Sequence, residues 1–269
     1  MKEQEKISKY RTRTFLLIIL SAIVSSGILC LINALGFDEM LCVLFVILGF
    51  MPVMYFEMEY ERRRNRIGNN PQTDYSRIAS GFWICCLIMC VISFMPEFYR
   101  PVMLLPLVMI AYSNEILGIA TSLLFNIMLA MTTGGSFYEL LTYIVLTVIA
   151  CVLSKALQEM EYAKLVALLL GFCNVLFPSV FYYWSNESVS ILHFLLGIIN
   201  GAITAWYAIR FYPRAVEETK LDIEFQYDNI LSKDYFMVKE IYGYSSAEYL
   251  HARRLSEISA KYAHVLGLN

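Results

Sequence analysis

Long runs of apolar residues make up most of this chain. They fall at about 14–35, 40–56, 78–96, 101–112, 115–133, 137–156, 164–184 and 189–210. A helix needs about 20 residues to cross the hydrocarbon core of a bilayer, and most of these runs approach or exceed that length. Within lipid, a helix is the form in which one segment satisfies all of its own backbone polar groups. The runs therefore predict an all-α fold, a polytopic transmembrane helix bundle over residues 14–210.

The composition also predicts that most of the chain lies in lipid. Of the 269 residues, 58% are hydrophobic and 16% are charged. Soluble domains average about 45–50% apolar and about 25% charged residues. The formal net charge of −2 gives no electrostatic reason for a nucleic-acid partner. The lipid bilayer is the expected partner, and nucleic acid is not.

The run at 101–112 is the weakest of the eight. It begins at Pro101, contains Pro106 and is short. Two interpretations stay open, because the run can form a brief span or one half of a re-entrant hairpin with the run that follows it.

Basic residues predict the orientation of the bundle. They cluster before the first run, between the second and third, after the sixth and after the eighth: Lys2, Lys6, Lys9, Arg11, Arg13, Arg62, Arg63, Arg64, Arg66, Arg77, Lys155, Lys164, Arg210, Arg214 and Lys220. On the other side Arg100 stands almost alone. Positive loops stay in the cytoplasm, and about eight spans place every cluster there. We therefore expect a multi-pass protein of the bacterial inner (plasma) membrane, with the N-terminal segment 1–13 and the C-terminus both cytoplasmic.

Few polar side chains interrupt the predicted spans. Asn126, Asn174 and Asn200 lie at mid-span, where we expect them to form hydrogen bonds between helices. His193 lies near the outer end of the last run. Glycines at four span positions are expected to allow close helix packing: Gly118, Gly171, Gly197 and Gly201. The seven cysteines lie inside apolar runs, without the spacing of a zinc site.

After Arg210 the chain becomes polar, which predicts a cytoplasmic connector over 211–243. Within it, residues 230–242 carry apolar residues at helical spacing, and we expect Gly243 to end that helix.

Ser245 and Glu248 then have the spacing of a capping box. They predict a second helix to about Leu266 within a segment 244–269. Its apolar stripe is Leu255, Ile258, Tyr262 and Val265, which needs a covering partner because an isolated helix is marginal in water.

The stretch from His251 to Asn269 resembles the opening helix of the HD domain in membrane-anchored HD-type phosphohydrolases with a multi-spanning region. That class includes bacterial cyclic di-AMP phosphodiesterases. Arg254 and Leu255 occupy the positions of the family's arginine and following apolar residue. The segment 230–241 is similar to the family's connector. The membrane half agrees at three places: Gly134-Gly135, Gly171–Asn174 and Gly197–Gly201.

The resemblance implies that 244–269 is the first helix of an incomplete HD-like domain, with His251 as the first ligand of a divalent metal pair (Mn or Fe). The His-Asp dyad and the later ligands would then lie beyond Asn269. The chain as given would hold no catalytic residue, and a cyclic dinucleotide would bind only to a complete HD domain. A homodimer is a further expected partner.

Two departures from the family's pattern stand beside these matches. The residues around the histidine are Leu250 and Ala252 instead of the family's usual histidine and serine, and only Gly36–Glu39 separates the first two runs. The alternative hypothesis is a non-enzymatic membrane sensor or transporter whose tail helix docks on a partner in helix-in-groove fashion.

Overall fold

The computed structural model describes residues 2–63, 71–186, 188, 191–216 and 243–265. It is 88% helical, and the described residues contain no strand. The α-helices are α1 (Lys2–Ile32), α2 (Phe37–Arg63), α3 (Pro71–Ile92), α4 (Leu104–Tyr112), α5 (Glu115–Thr133), α6 (Phe137–Ser154), α7 (Met160–Asn186), α8 (Ile191–Arg210) and α9 (Ser246–Val265), with a 3-10 turn at Ala156–Gln158. The chain forms two compact units, Met1–Thr219 and Lys220–Asn269.

Seven of the described helices are long and apolar enough to cross a membrane. Their candidate spans are Tyr10–Ile32, Phe37–Tyr60, Tyr75–Ile92, Glu115–Thr133, Phe137–Ser154, Tyr162–Asn186 and Ile191–Val216. Large apolar side chains remain exposed along these helices, as on Leu31, Phe45 and Leu168. Such side chains are stable in contact with lipid tails. The predicted all-α polytopic bundle is confirmed.

Of the about eight predicted spans, the run 101–112 is the one that does not form a full-length helix, and a brief span and one half of a re-entrant hairpin were both open for it. There the structure has α4, which has nine residues and is about 14 Å long. Its residues from Leu104 to Ala111 are buried inside the protein. A helix of this length cannot cross a core of about 30 Å alone. Because neighbouring helices enclose it, the non-helical backbone before it is shielded from lipid, which is the condition for tolerating such backbone at membrane depth.

Contacts with its neighbours show that α4 still carries the chain from one end of the bundle toward the other. The thiol of Cys85 on α3 lies 3.5 Å from the carbonyl oxygen of Leu105. A Cβ on Gly81, one turn earlier in α3, would lie 2.7 Å from the Cβ of Tyr112. Thus α4 runs antiparallel to α3. In the same way Gly118 of α5 meets Ile110, and α5 runs back again. The described residues thus run along the bundle eight times, seven times as full-length helices and once as α4.

Ion pairs and hydrogen bonds mark one end of the bundle. Arg11 pairs with Glu59 at 2.9 Å, where α1 begins and α2 ends. Lys155 pairs with Glu115 at 3.1 Å, where α6 ends and α5 begins. The Tyr212 hydroxyl donates to the Ser154 carbonyl at 3.2 Å. The start of α1 and the end of α8 therefore lie at the same end, which we call the basic end.

The turn between α5 and α6 forms the opposite end. Gly134 ends α5 in the left-handed region (φ 68°), a conformation that favours glycine. The Ser136 hydroxyl caps α6 by accepting from the Glu139 amide at 3.2 Å. This tight hairpin places Thr133 and Glu139 side by side.

Glycines bring α7 and α8 into backbone contact. A Cβ on Gly201 would lie 2.5 Å from the carbonyl oxygen of Gly171, and one on Gly197 would lie 3.4 Å from the Cα of Val175. The expected role of these glycines in close packing is confirmed. The contacts also show that the two helices are antiparallel.

In the second unit, α9 spans Ser246–Val265 and agrees with the predicted helix at its start. The Ser245 hydroxyl accepts from the Glu248 amide at 3.3 Å, as the capping-box spacing predicts. The expectation that Gly243 ends the preceding helix is wrong, because Gly243 and Tyr244 are both helical and the break falls at Ser245. The helix predicted over 230–242 lies outside the described residues.

Candidate functional site: a buried polar network

Arg100 lies in the non-helical segment between α3 and α4, and its side chain is only 4% exposed. One guanidinium nitrogen, Nη1, donates to Glu139 Oε1 at 2.6 Å, to Thr133 Oγ1 at 3.0 Å and to the Tyr143 hydroxyl at 3.1 Å. Its Nε donates to the Met95 carbonyl at 3.1 Å. A buried charge needs a partner of opposite sign and further hydrogen bonds, and Arg100 has both.

Local geometry positions each member of this cluster. Glu139 and Tyr143 are one turn apart on α6, so both face the same side of that helix. The Tyr143 hydroxyl also donates to Glu139 Oε1. Before Arg100 the backbone turns at Phe98, which has a positive φ of 63°. This conformation is strained for a residue with a side chain, and burial of the Phe98 ring against Tyr182 holds it.

The backbone of Arg100 joins the cluster to α8. Asn200, in the middle of α8, donates from Nδ2 to the Arg100 carbonyl at 3.2 Å. We call Arg100, Thr133, Glu139, Tyr143 and Asn200 the Arg100 network. It connects the α5–α6 hairpin with α8 and with the segment before α4, three parts of the bundle that are distant in sequence.

The other mid-span amides extend these contacts, and the expected bonding between helices is confirmed for Asn126. Asn126 donates to the Tyr143 carbonyl at 3.3 Å and to Thr147 Oγ1 at 2.8 Å, which ties α5 to α6. Asn174 donates to the Leu170 carbonyl at 3.0 Å and lies 2.9 Å from the Met103 sulfur.

Two buried oxygens of the network have no hydrogen-bond partner. One is Asn200 Oδ1, and the other is Glu139 Oε2. Gly135 lies against it, and a side chain at that position would collide with the carboxylate. Ionisable groups within membrane-spanning segments mark functional sites by default because they are costly to bury. Since most of its donors and acceptors already bond to one another, the network is suited to holding helices together, and Glu139 Oε2 and Asn200 Oδ1 are the atoms able to accept a further donor.

His251, the histidine predicted as a metal ligand, is exposed on α9. The described residues contain no group of three or more His, Cys, Asp or Glu side chains placed to hold a metal ion. A two-metal centre needs several such ligands. His193 packs its ring 4.1 Å from that of Tyr182 and 5.7 Å from that of Tyr99, so it forms part of an aromatic cluster.

The Arg100 network is a feature that sequence reasoning missed. The sequence pattern places Arg100 almost alone on the side opposite the basic clusters, and it does not single out Glu139. A signal was present, because an acid in the first turn of an apolar run, with a tyrosine four residues later, lies on the same predicted side as this single basic residue. Only contact between distant segments turns these residues into a pair.

Comparison of the chain with protein-family models, with curated proteins and with solved structures gives no match. The fold and the network therefore define a class only, an all-α multi-pass membrane protein with a helical tail unit.

Proposed function

We propose that the bundle is the membrane anchor and signal-input region of an HD-type metal-dependent phosphohydrolase that acts on a cyclic dinucleotide. The observation that carries the proposal is α9, a capped amphipathic helix with His251 and an exposed apolar stripe, in a unit separate from the bundle. In this proposal α9 is the first helix of the HD-like domain, and His251 is its first metal ligand.

The exposure of α9 supports a role as part of a larger helical domain. Leu255 is 51% exposed, Ile258 is 52% exposed and Tyr262 is 68% exposed. The helix has 20 residues, and in proteins most helical stability comes from packing of an amphipathic face against other elements. Packing against the further helices of an HD-like domain would bury this stripe and place His251 beside other ligands.

Charge supports a cytoplasmic location for the basic end and the tail. Arg11, Arg13, Lys155, Arg210 and Arg214 all belong to the basic end, whereas Arg100 at the opposite end is buried against Glu139. Because Arg100 is buried and paired, it does not count as a positive loop charge in the positive-inside rule. The positive-inside rule thus favours a cytoplasmic basic end in the plasma membrane of a bacterium.

Hydrolysis by the native protein, purified from its own membrane, tests the enzymatic proposal. We expect Mn²⁺-dependent cleavage of cyclic di-AMP, which His251→Ala should reduce by at least about 100-fold, because loss of even a residue that only hydrogen-bonds to a metal ligand weakens a metal site by about 10–100-fold. His264→Ala, on the same helix, is the matched control and should retain activity. Absence of metal-dependent hydrolysis by the native protein would reject the proposal.

A second candidate function is a non-enzymatic sensor or transporter whose tail docks on a partner. The specific observation in its favour is the buried non-helical segment before α4, next to a buried ion pair. Non-helical backbone at membrane depth lines cavities in transporters, and ionisable groups inside the membrane mark transport pathways. Solute uptake by vesicles containing the chain would favour this function, especially if Glu139→Gln abolished uptake while leaving the fold intact.

A further inference from the structure

An apolar groove runs along the membrane-facing surface between α7 and α8. Its volume is about 500 Å³, and none of its lining residues is charged. Phe172, Leu176, Val180 and Tyr183 form the wall on α7, and Phe194 and Ile198 form the wall on α8. This volume lies within the range of about 300–1,000 Å³ for sites that bind small molecules.

The glycine contacts explain why the groove has this shape. The backbones of α7 and α8 touch at Gly171, Gly197 and Gly201, where no side chain separates them. Larger side chains then stand on both sides of this seam, with Phe172 56% exposed and Phe194 50% exposed. Between the walls lie Val175 and Ser179. The Ser179 hydroxyl is already bonded to the Val175 carbonyl at 2.7 Å, so the described contacts give the groove an apolar floor.

The length and surroundings of the groove point to one kind of occupant. From Phe172 to Tyr183 the wall rises about 16 Å along the helix axis. That is about half of the 30 Å hydrocarbon core, the depth of one leaflet. Both walls belong to candidate membrane spans, so the groove is continuous with the surface that faces lipid tails. An uncharged groove of one leaflet's depth, opening into hydrocarbon, matches a single acyl chain.

We propose that this groove binds one acyl chain of a bilayer lipid as a long-lived ligand. The proposal is independent of the phosphohydrolase function, because it uses none of the residues of the tail. Lipid tails are as apolar as leucine, so binding cannot rely on the hydrophobic effect. It relies on van der Waals contact, which a concave surface makes on several sides of the chain at once. The expected preference over freely exchanging lipid is therefore modest.

Photolabelling of the full chain in vesicles tests the proposal. The probe is a phosphatidylcholine with a diazirine in the middle of one acyl chain, in vesicles of phosphatidylethanolamine and phosphatidylglycerol. We expect labelling to concentrate on the groove, at residues 172–183 and 194–198. Labelling of the wild-type chain at Leu165 and Leu168, which face lipid outside the groove, should be about fivefold lower.

The chain provides a matched pair of variants. Ile198 lines the groove and is 45% exposed, whereas Ile199 is 55% exposed and does not line it. Ile198→Trp should fill the groove and lower its labelling about fivefold, while Ile199→Trp should change it less than twofold. Thermal unfolding of both variants checks the fold. If Ile198→Trp unfolds, Leu176→Trp replaces it, with Leu168→Trp as control.

Three outcomes would overturn the proposal. Even labelling of all lipid-facing residues would mean that lipid exchanges freely at the groove. Labelling that falls equally in Ile198→Trp and Ile199→Trp would mean that the effect does not arise from filling the groove. Covalent crosslinks between two copies of the chain through groove residues would assign the surface to a dimer instead.

Discussion

Arg100 and Glu139 exchange the solvation of water for contact with each other at an almost fully buried position. Taking both charges out of water is costly, and their attraction compensates for that cost only while both are present. Thr133 and Tyr143 contribute the remaining hydrogen bonds. Removal of either partner should therefore cost more stability here than removal of one partner of an exposed ion pair.

Removal of one member should therefore destabilise the bundle strongly. We expect Glu139→Gln and Arg100→Gln each to lower the free energy of unfolding by about 3–5 kcal/mol, because each leaves an uncompensated buried group. The double variant should lose clearly less than the sum. Detergent-based equilibrium unfolding of the purified chain measures all three values.

Lys155→Gln is the control, because the Lys155 side chain is 74% exposed in its pair with Glu115. Exposed pairs contribute little, so its unfolding should match that of the wild-type chain. Equal losses in Lys155→Gln and Glu139→Gln would contradict the special role of the buried pair.

A second prediction at this scale concerns Gly201. Gly201→Ala should destabilise the bundle by about 1–3 kcal/mol, because its Cβ would meet the rigid backbone of Gly171. Gly27→Ala on α1 is the matched control, since nothing lies within 4 Å of its Cβ. We expect it to be neutral or to stabilise the helix by up to about 1 kcal/mol. The same unfolding measurement distinguishes them, and similar losses in both would refute the packing argument.

Among the elements, α4 and α9 depend on their surroundings in opposite ways. α4 is short and enclosed, so the bundle that covers it stabilises it. α9 is long, and its described side chains are mostly exposed, so its stability depends more on local interactions such as its N-cap. A cap therefore has a larger relative effect on α9 than on a helix inside the bundle.

Loss of the Ser245 cap should thus be measurable. We expect Ser245→Ala to destabilise the first turn of α9 by about 1 kcal/mol, because the Glu248 amide loses its acceptor. Hydrogen exchange of that amide should accelerate about fivefold, as followed by mass spectrometry. Ser246→Ala, at the next position, is the control and should leave the rate nearly unchanged. An unchanged rate in Ser245→Ala would mean that the hydroxyl does not cap α9 in solution.

At the scale of the whole molecule, the path of the chain depends on α4 acting as a pass. Its antiparallel contacts with α3 and α5 place Ser113 at the basic end, together with Gln158. Phe137, at the start of α6, lies at the opposite end. If α4 instead returned to the end from which it came, Ser113 and Phe137 would lie on the same side.

Labelling of introduced cysteines in a cysteine-free background tests this path. We expect a membrane-impermeant maleimide to label Ser113→Cys and Gln158→Cys from one side only, and Phe137→Cys from the other, since the short loops do not cross lipid spontaneously. Right-side-out and inverted vesicles supply the two sides. Labelling of Ser113→Cys and Phe137→Cys from the same side would disprove the eight-pass path. If the labelled basic end were extracellular, the proposed orientation would fail as well.

By itself, the sequence determined the class of fold and its local signals. Apolar runs predict membrane helices because lipid accepts no unpaired backbone groups, and Ser245 is recognised as a cap because its partner lies three residues away. Such features can be predicted from the sequence because they depend only on residues that are close together along the chain. The tertiary structure alone decided that 101–112 contains a short enclosed helix instead of a full span. It also decided that Arg100 and Glu139, 39 residues apart, form a buried pair, because a contact between distant segments depends on how every intervening helix packs.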